Sequence, residues 1–212
     1  MMKITKYPQS HLVVEKDGKK IVIDPGNFTF DQGYKIEQFQ NADCYLITHV
    51  HDDHMGYNTI KEIVADNPIY ANTDSINKLN ELEVNAKEIK NGEEWEVAGF
   101  KIKAVDLPHV HLDQTDPMPQ NTGYVIDEIF FHSGDGLNIE NLSVDNAALP
   151  IGHGAISYND VFNTMRKLNA KVLIPIHYDA YKRDPEEVKK MSDHYNFGFD
   201  IRPLKNEEST EI

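Results

Sequence analysis

Three imidazoles and the carboxylate of Asp53 fall within six consecutive positions of the run Thr48-His49-Val50-His51-Asp52-Asp53-His54-Met55-Gly56. The run follows directly on Cys44-Tyr45-Leu46-Ile47, an apolar stretch that reads as a buried strand. Neutral imidazole and carboxylate are the donors that suit zinc and neighbouring first-row metals. The spacing has a geometric meaning. On a chain still extended at this point, His49 and His51 leave on the same side and can grip one ion. Asp53 and His54 point elsewhere as the backbone turns toward a helix, and can serve a second ion. Two histidines four apart on a helix would make a different kind of site.

The rest of the pattern is rich in strands. Residues 12–15 and 20–23, separated by Asp17-Gly18, predict a β-hairpin, and Asp24-Pro25-Gly26 breaks its second strand. Further strands are predicted at 43–48, 68–71, 86–89, 94–97, 100–105, 122–126, 129–132, 146–151 and 171–176. Helices are predicted at 55–64, 73–80, 158–168 and 185–191, and the polar end, 206–212, is expected to fray. Strand-rich halves with interleaved helices predict an α/β fold: an αββα four-layer sandwich of two mixed sheets with helices on the outer faces. A chain of 212 residues fits a single domain over 1–212.

A site for two ions needs more donors than the first run provides, and other strand ends offer them. The strand at 100–105 leads to Leu107-Pro108-His109-Val110-His111. The strand at 129–132 leads to Ser133-Gly134-Asp135-Gly136, and the one at 171–174 to Pro175-Ile176-His177-Tyr178. Each shares one grammar: an apolar strand, a small or imino residue, then a ligand type. Gly134 beside Asp135 lets the backbone approach closely, as a bridging carboxylate requires.

With these pieces in order, the chain resembles the metallo-β-lactamase fold hydrolases. The resemblance rests on His-x-His-x-Asp-His, a lone downstream His, a Gly-Asp and a final His after an apolar strand. Ile23-Asp24-Pro25-Gly26 and the hairpin from Asn91-Gly92 to Val97 add to it, and it runs from about Ser10 to Tyr178. Leu-Pro-Ile-Gly before a helix and Ile-Pro-Ile-His-Tyr at the end are most similar to the small lactonase-like and uncharacterised metal-dependent hydrolases. The resemblance implies two divalent ions, zinc first, with manganese or iron as alternatives. His49, His51 and His109 would hold one ion, Asp53, His54 and His177 the other, and Asp135 would bridge them. His111 competes with His109 for the third-His role, and Gly136 stands where many members carry Thr or Ser.

The chemistry expected of such a centre is attack by an activated hydroxide on a small ester, lactone or related substrate, with Asp53 as acid/base. Asp24 and Thr48 are expected to orient ligands. His11 and His153 stand near strand ends where substrate contact is one reading and an ordinary polar position the other. His132 reads as packed or half-exposed, His194 as solvated and Tyr178 as core. The loops 26–34, 110–120 and 151–157 are expected to wall the pocket. A formal charge of −14 and the lack of a basic stretch interleaved with aromatics speak against nucleic acid. No apolar run is long enough for a membrane span, and the single cysteine, Cys44, allows no intrachain disulfide. A cytoplasmic chain acting on a small molecule is the simplest expectation, with homo-oligomerisation open. The alternatives are a phosphodiesterase for a small cyclic or lipid phosphodiester, an iron-dependent redox enzyme, and a non-catalytic metal-binding protein.

Overall fold

Two seven-stranded sheets face each other in this computed structural model, which describes residues 1–110, 118–152 and 154–212. The first sheet contains β1 (Lys3–Lys6), β2 (Leu12–Lys16), β3 (Lys19–Ile23), β4 (Cys44–Ile47), β5 (Ile69–Ala71), β6 (Lys87–Glu88) and, last in the chain, β14 (Ser209–Glu211). Their order is β14-β1-β2-β3-β4-β5-β6. The second contains β7 (Glu94–Val97), β8 (Phe100–Asp106), β9 (Thr122–Ile126), β10 (Phe130–His132), β11 (Asn146–Pro150), β12 (Val172–Ile176) and β13 (Asp200–Ile201), in the order β13-β12-β11-β10-β9-β8-β7. Both sheets are mixed: β3 to β6 run parallel, as do β10 to β13, and the other pairs are antiparallel.

Alternation along the strands produces the layers. Ile21, Ile23, Cys44 and Leu46 meet Phe100, Ile102, Tyr124, Ile126, Ile174 and Ile176 in the core between the sheets. Their neighbours Val22, Tyr45 and Ile47 point the other way. They pack with residues of two helices, α2 (Ile60–Val64) and α3 (Thr73–Glu81), while a short α1 (Asn27–Asp31) precedes them in the chain. On the second sheet, Phe131, Ala147, Leu149 and Leu173 pack with α4 (Tyr158–Lys167) and α5 (Pro185–His194). Period-two strands thus bury both faces, one in the sandwich and one under helices. The αββα architecture expected from the sequence is the one observed.

Local signals account for several boundaries. Asp17 and Gly18 both take positive φ in the two-residue turn of the β2–β3 hairpin, which matches the twist of its strands. Helix α4 begins with a reciprocal cap: Asp160 N donates to Ser157 Oγ and Ser157 N to Asp160 Oδ2. Two expectations fail. Residues 55–59 are not helical; the chain turns there so that Gly56 N can reach Pro25 O, and only Ile60–Val64 forms α2. The polar end does not fray either. Ile212 exchanges backbone hydrogen bonds with Met2, and β14 pairs with β1, a strand whose pairing has no periodic signal in the sequence.

The rim above β4 is tied across the sandwich. Thr48 O accepts from Thr122 N and from Asn72 Nδ2, and the Tyr124 hydroxyl donates to Ile47 O at 2.6 Å. The strand that launches the histidine run is therefore anchored to the opposite sheet.

Candidate metal centre

All seven side chains singled out by the sequence meet at this rim. His49 and His51 leave the end of β4, His109 follows β8, Asp135 follows β10, and His177 follows β12. Ligand-type atoms of His49, His51 and His109 lie within 4.8 Å of one another, and so do those of Asp53, His54 and His177. His49, His54 and Asp135 form a third such set that joins the two. Asp135 stands at the centre: Oδ1 is 3.4 Å from His54 Nε2, and Oδ2 is 3.2 Å from His177 Nε2 and 3.6 Å from His109 Nε2.

The imidazoles are aimed by their far nitrogens. The Thr48 hydroxyl donates to Asp24 Oδ2 at 2.6 Å and so accepts from His49 Nδ1 at 3.1 Å. Asp24 Oδ2 also accepts from His54 Nδ1 at 2.7 Å, and Val110 O accepts from His109 Nδ1 at 2.9 Å. Three rings thereby carry the proton on Nδ1 and turn Nε2 inward, the usual way a ligand tautomer is set. His51 instead brings Nδ1 to 3.1 Å from His49 Nε2. The orienting positions expected of Asp24 and Thr48 are the ones they occupy.

Close backbone approach makes the cluster compact. Gly134 has φ +56°, and a Cβ there would lie 2.3 Å from Asn121 Oδ1 and 2.7 Å from Thr48 Cβ. A Cβ on Gly26 would fall 1.9 Å from Asp53 O. No larger residue fits either place without movement. Val110 N donates to Asp135 O at 2.9 Å, which ties the His109 and Asp135 loops together.

Burial and the neighbouring charges pull the ionisable groups of the rim in different directions. Burial pushes the Asp135 carboxyl up, but His177 and His54 overcome it and hold the group well below the ordinary carboxylate range. Burial also opposes ionisation of Asp53, and His54 and His177 again prevail. For His54, burial is outweighed by Asp135, Asp53 and Asp24 together, so its pKa sits well above the usual imidazole value. His49, which is fully buried, is pushed well below that value, first by burial and then by His54. Burial lowers His109 to about 4. His54 Nε2 and Asp135 Oδ1 are buried without a hydrogen-bond partner among the described residues. Five imidazoles and two carboxylates, with such atoms facing inward, fit divalent first-row ions.

Other sequence expectations fall differently. His11 is fully buried against Tyr7 and Phe39, with Nδ1 3.0 Å from Thr29 Oγ1, so it faces packed side chains rather than a pocket. His132 is packed, donating through Nε2 to Ser10 O and accepting at Nδ1 from Gly134 N. His194 is exposed at the end of α5, and the Tyr178 hydroxyl turns away to Leu204 O. His111 and His153 lie outside the described residues, as does much of the loop 110–120.

Two residues at the site carry no sequence signal. Gln9 Nε2 donates to Asp53 Oδ2 at 3.1 Å. Tyr181 is 42% exposed and stacks on His177 with ring centroids 5.5 Å apart. A lone Gln in a turn and a Tyr in a polar loop match no ligand grammar, and only the fold brings them here.

Two facing mixed sheets with a His/Asp cluster at one rim define the metallo-β-lactamase class of fold. The chain belongs to the family described as the Beta-lactamase superfamily domain, whose profile matches residues 3–177. It is similar to the UPF0173 metal-dependent hydrolase of Thermococcus onnurineus, with 31% identity over 192 residues, 82% of this chain and 84% of that one. Among solved structures, the metallo hydrolase Igni18 from Ignicoccus hospitalis superposes with a TM-score of 0.78 at 20% identity, covering 100% of this chain and 99% of that one. An isothiocyanate hydrolase from Delia radicum gut bacteria superposes with a TM-score of 0.80 at 18% identity, again over 100% and 99%. The chain is thus an enzyme, a metal-dependent hydrolase of this fold. No helix among the described residues is long and apolar enough to cross a membrane.

Proposed function

We propose that the chain hydrolyses a small ester, lactone or related acyl substrate at a site for two divalent ions, zinc in the first place. The observation that carries this reading is the pair of three-donor sets joined through Asp135. His49, His51 and His109 would hold one ion and Asp53, His54 and His177 the other, with Asp135 within reach of both sets. When bound, such ions supply Lewis acidity and a water whose pKa is lowered toward neutrality. The protein's share is orientation and proton handling. Asp24, Thr48 and the Val110 carbonyl fix the ring tautomers. Asp135 is 2% exposed and committed to the centre, whereas 29% of the Asp53 side chain is exposed. Asp53 is therefore the carboxylate that takes a proton at the mouth of the site.

One feature favours a small acyl substrate over a phosphodiester. The charges that dominate the ionisation of Asp53, His54 and Asp135 are those of histidines and carboxylates, with no Lys or Arg among them. Phosphate recognition ordinarily recruits such cations. A cleft of about 680 Å³ adjoins the cluster at His109, lined by Val110, Leu137 and Ile156 together with Asn138, Asn163, Asp160 and Lys167. That volume suits a small molecule. The test is turnover of a panel of lactones, esters and phosphodiesters by the zinc- or manganese-loaded chain. Hydrolysis confined to the acyl compounds is the expected result. Turnover of phosphodiesters alone, or of nothing with metal bound, overturns the proposal.

A further inference from the structure

The strap between β1 and β2 carries Gln9, which is 1% exposed, has a φ of +60°, and touches the cluster from a direction no strand supplies. Its amide cannot be flipped without cost, because both ends are engaged. Oε1 accepts from Ala180 N at 2.9 Å, and Nε2 donates to Asp53 Oδ2 at 3.1 Å while lying 3.5 Å from His177 Nε2. Turned over, the amide would set oxygen against the Asp53 carboxylate and nitrogen against a backbone N–H. The backbone is held as tightly. Gln9 O accepts from His177 N at 3.0 Å, and Gln9 N donates to Asp179 Oδ2 at 2.8 Å.

Behind this contact sits a buried ion pair that the hydrolytic chemistry does not use. Lys6 Nζ, fully buried, donates to the same Asp179 Oδ2 at 2.9 Å, to Asn206 Oδ1 at 2.8 Å and to Tyr7 O at 3.0 Å. Asp179 Oδ1 accepts from Asn206 Nδ2 at 3.1 Å. A paired and fully bonded buried charge of this kind fixes geometry. Here it fixes the residue that spans Asp53 and the 177–180 turn.

We propose that Gln9 is a positioning residue for the Asp53–His54–His177 half of the centre, setting the Asp53 carboxylate and His177 imidazole against each other, with the Lys6–Asp179 pair holding its backbone. The proposal rests on the two-ion reading above. An amide suits the task because it donates to the carboxylate without adding charge and leaves the remaining oxygen lone pairs for a cation.

Gln9→Asn separates this role from a merely structural one. Asn is at home at positive φ, so the backbone is eased, but the amide is drawn back by one methylene from Asp53. Gln9→Met serves as a second variant that keeps side-chain length and removes the donor. Stepwise zinc affinities of the full chain are read by chelator competition, and the melting temperature is read with metal removed. The expected result in both variants is one zinc step weakened about 10- to 100-fold and the other unchanged, with a cooperative metal-free melt showing that each variant folds. Unchanged affinities, or two steps weakened alike, overturn the proposal. A wild-type chain that takes one zinc ion overturns the two-ion reading and this role with it. Two bound ions without ester turnover bear on the reaction alone, since the affinity measurement needs no substrate.

Discussion

Replacing Asp24 by Asn removes one charge and changes almost no volume, yet it strikes the residue that aims two parts of the rim. The Asp24 carboxylate is fully buried and accepts from Thr48 N at 2.8 Å, from the Thr48 hydroxyl at 2.6 Å and from His54 Nδ1 at 2.7 Å. Its φ is +50°, a region Asn visits as readily as Asp, so the substitution adds no backbone strain. An Asn side chain has one acceptor oxygen and an amino group with two donor hydrogens. In one orientation the amino group confronts Thr48 N–H; in the other it confronts the Thr48 hydroxyl and His54 Nδ1–H. Either way a buried donor loses its acceptor. A lost hydrogen bond to a charged group costs roughly 1.5–3 kcal/mol. In either orientation His54 loses the charged partner that holds its proton on Nδ1, keeping at most a neutral acceptor, and orienting partners of this kind are worth about 10- to 100-fold in metal affinity, or roughly 1.4–2.8 kcal/mol. Urea unfolding of the metal-free chain and chelator competition for zinc measure the two effects separately. Both are expected to fall. A variant with wild-type metal-free stability and wild-type zinc affinity refutes the reasoning that Asp24 sets the His54 tautomer.

Two further substitutions probe the packing around the centre. Burial, followed by the charges of Lys6 and His132, lowers His11 to about 3 from its ordinary 6.5. Because the unfolded chain then takes a proton that the folded chain refuses, stability falls as pH drops from 6.5 toward 3, by up to about 5 kcal/mol, and His11 adds no further loss below that. In chelator, His11→Gln is expected to show a shallower loss of stability than wild type between those pH values; parallel curves rule the account out. Gly134→Ala places a Cβ 2.3 Å from Asn121 Oδ1 and 2.7 Å from Thr48 Cβ at a φ of +56°. The strain and overpacking together should cost about 2 kcal/mol or more in urea unfolding. A stability equal to wild type would mean that the Asn121 and Thr48 side chains yield without cost.

What the sequence reveals follows from strand physics. Apolar runs such as Ile21-Val22-Ile23 and Cys44-Tyr45-Leu46-Ile47, strand-rich in both halves and interleaved with helical segments, are enough to predict two sheets with helices outside. The run from His49 to His54 announces ligands because imidazoles seldom crowd the end of an apolar strand. The failures have equally local causes. The helix expected over 55–64 starts only at Ile60, since Gly56 and its neighbours answer to Pro25 rather than to helical propensity. The polar residues Ser209–Glu211 form a strand because the β1 edge offers them backbone partners, which no periodicity reports.

The contrast between His177 and Gln9 explains where such legibility stops. His177 is visible because β12 delivers it: parallel pairing from β10 through β12 carries the loop after each strand to one rim, so an imidazole after Ile174-Pro175-Ile176 has a destination set by strand order alone. Gln9 reaches the same rim sideways. It comes off the end of antiparallel β1, turns through positive φ, and meets a His177 whose own φ is +57°. Nothing in Pro8-Gln9-Ser10 specifies that meeting; it depends on Asp179 lying where both Lys6 Nζ and Gln9 N can reach it. Residues that donate electron pairs to the centre are therefore readable from strand grammar, while residues that steady those donors are set by contacts between segments far apart in the chain. Asp24 is the intermediate case: it follows directly on β3, the parallel neighbour of β4, so its side chain arrives beside Thr48 by the same strand register that brings the histidines.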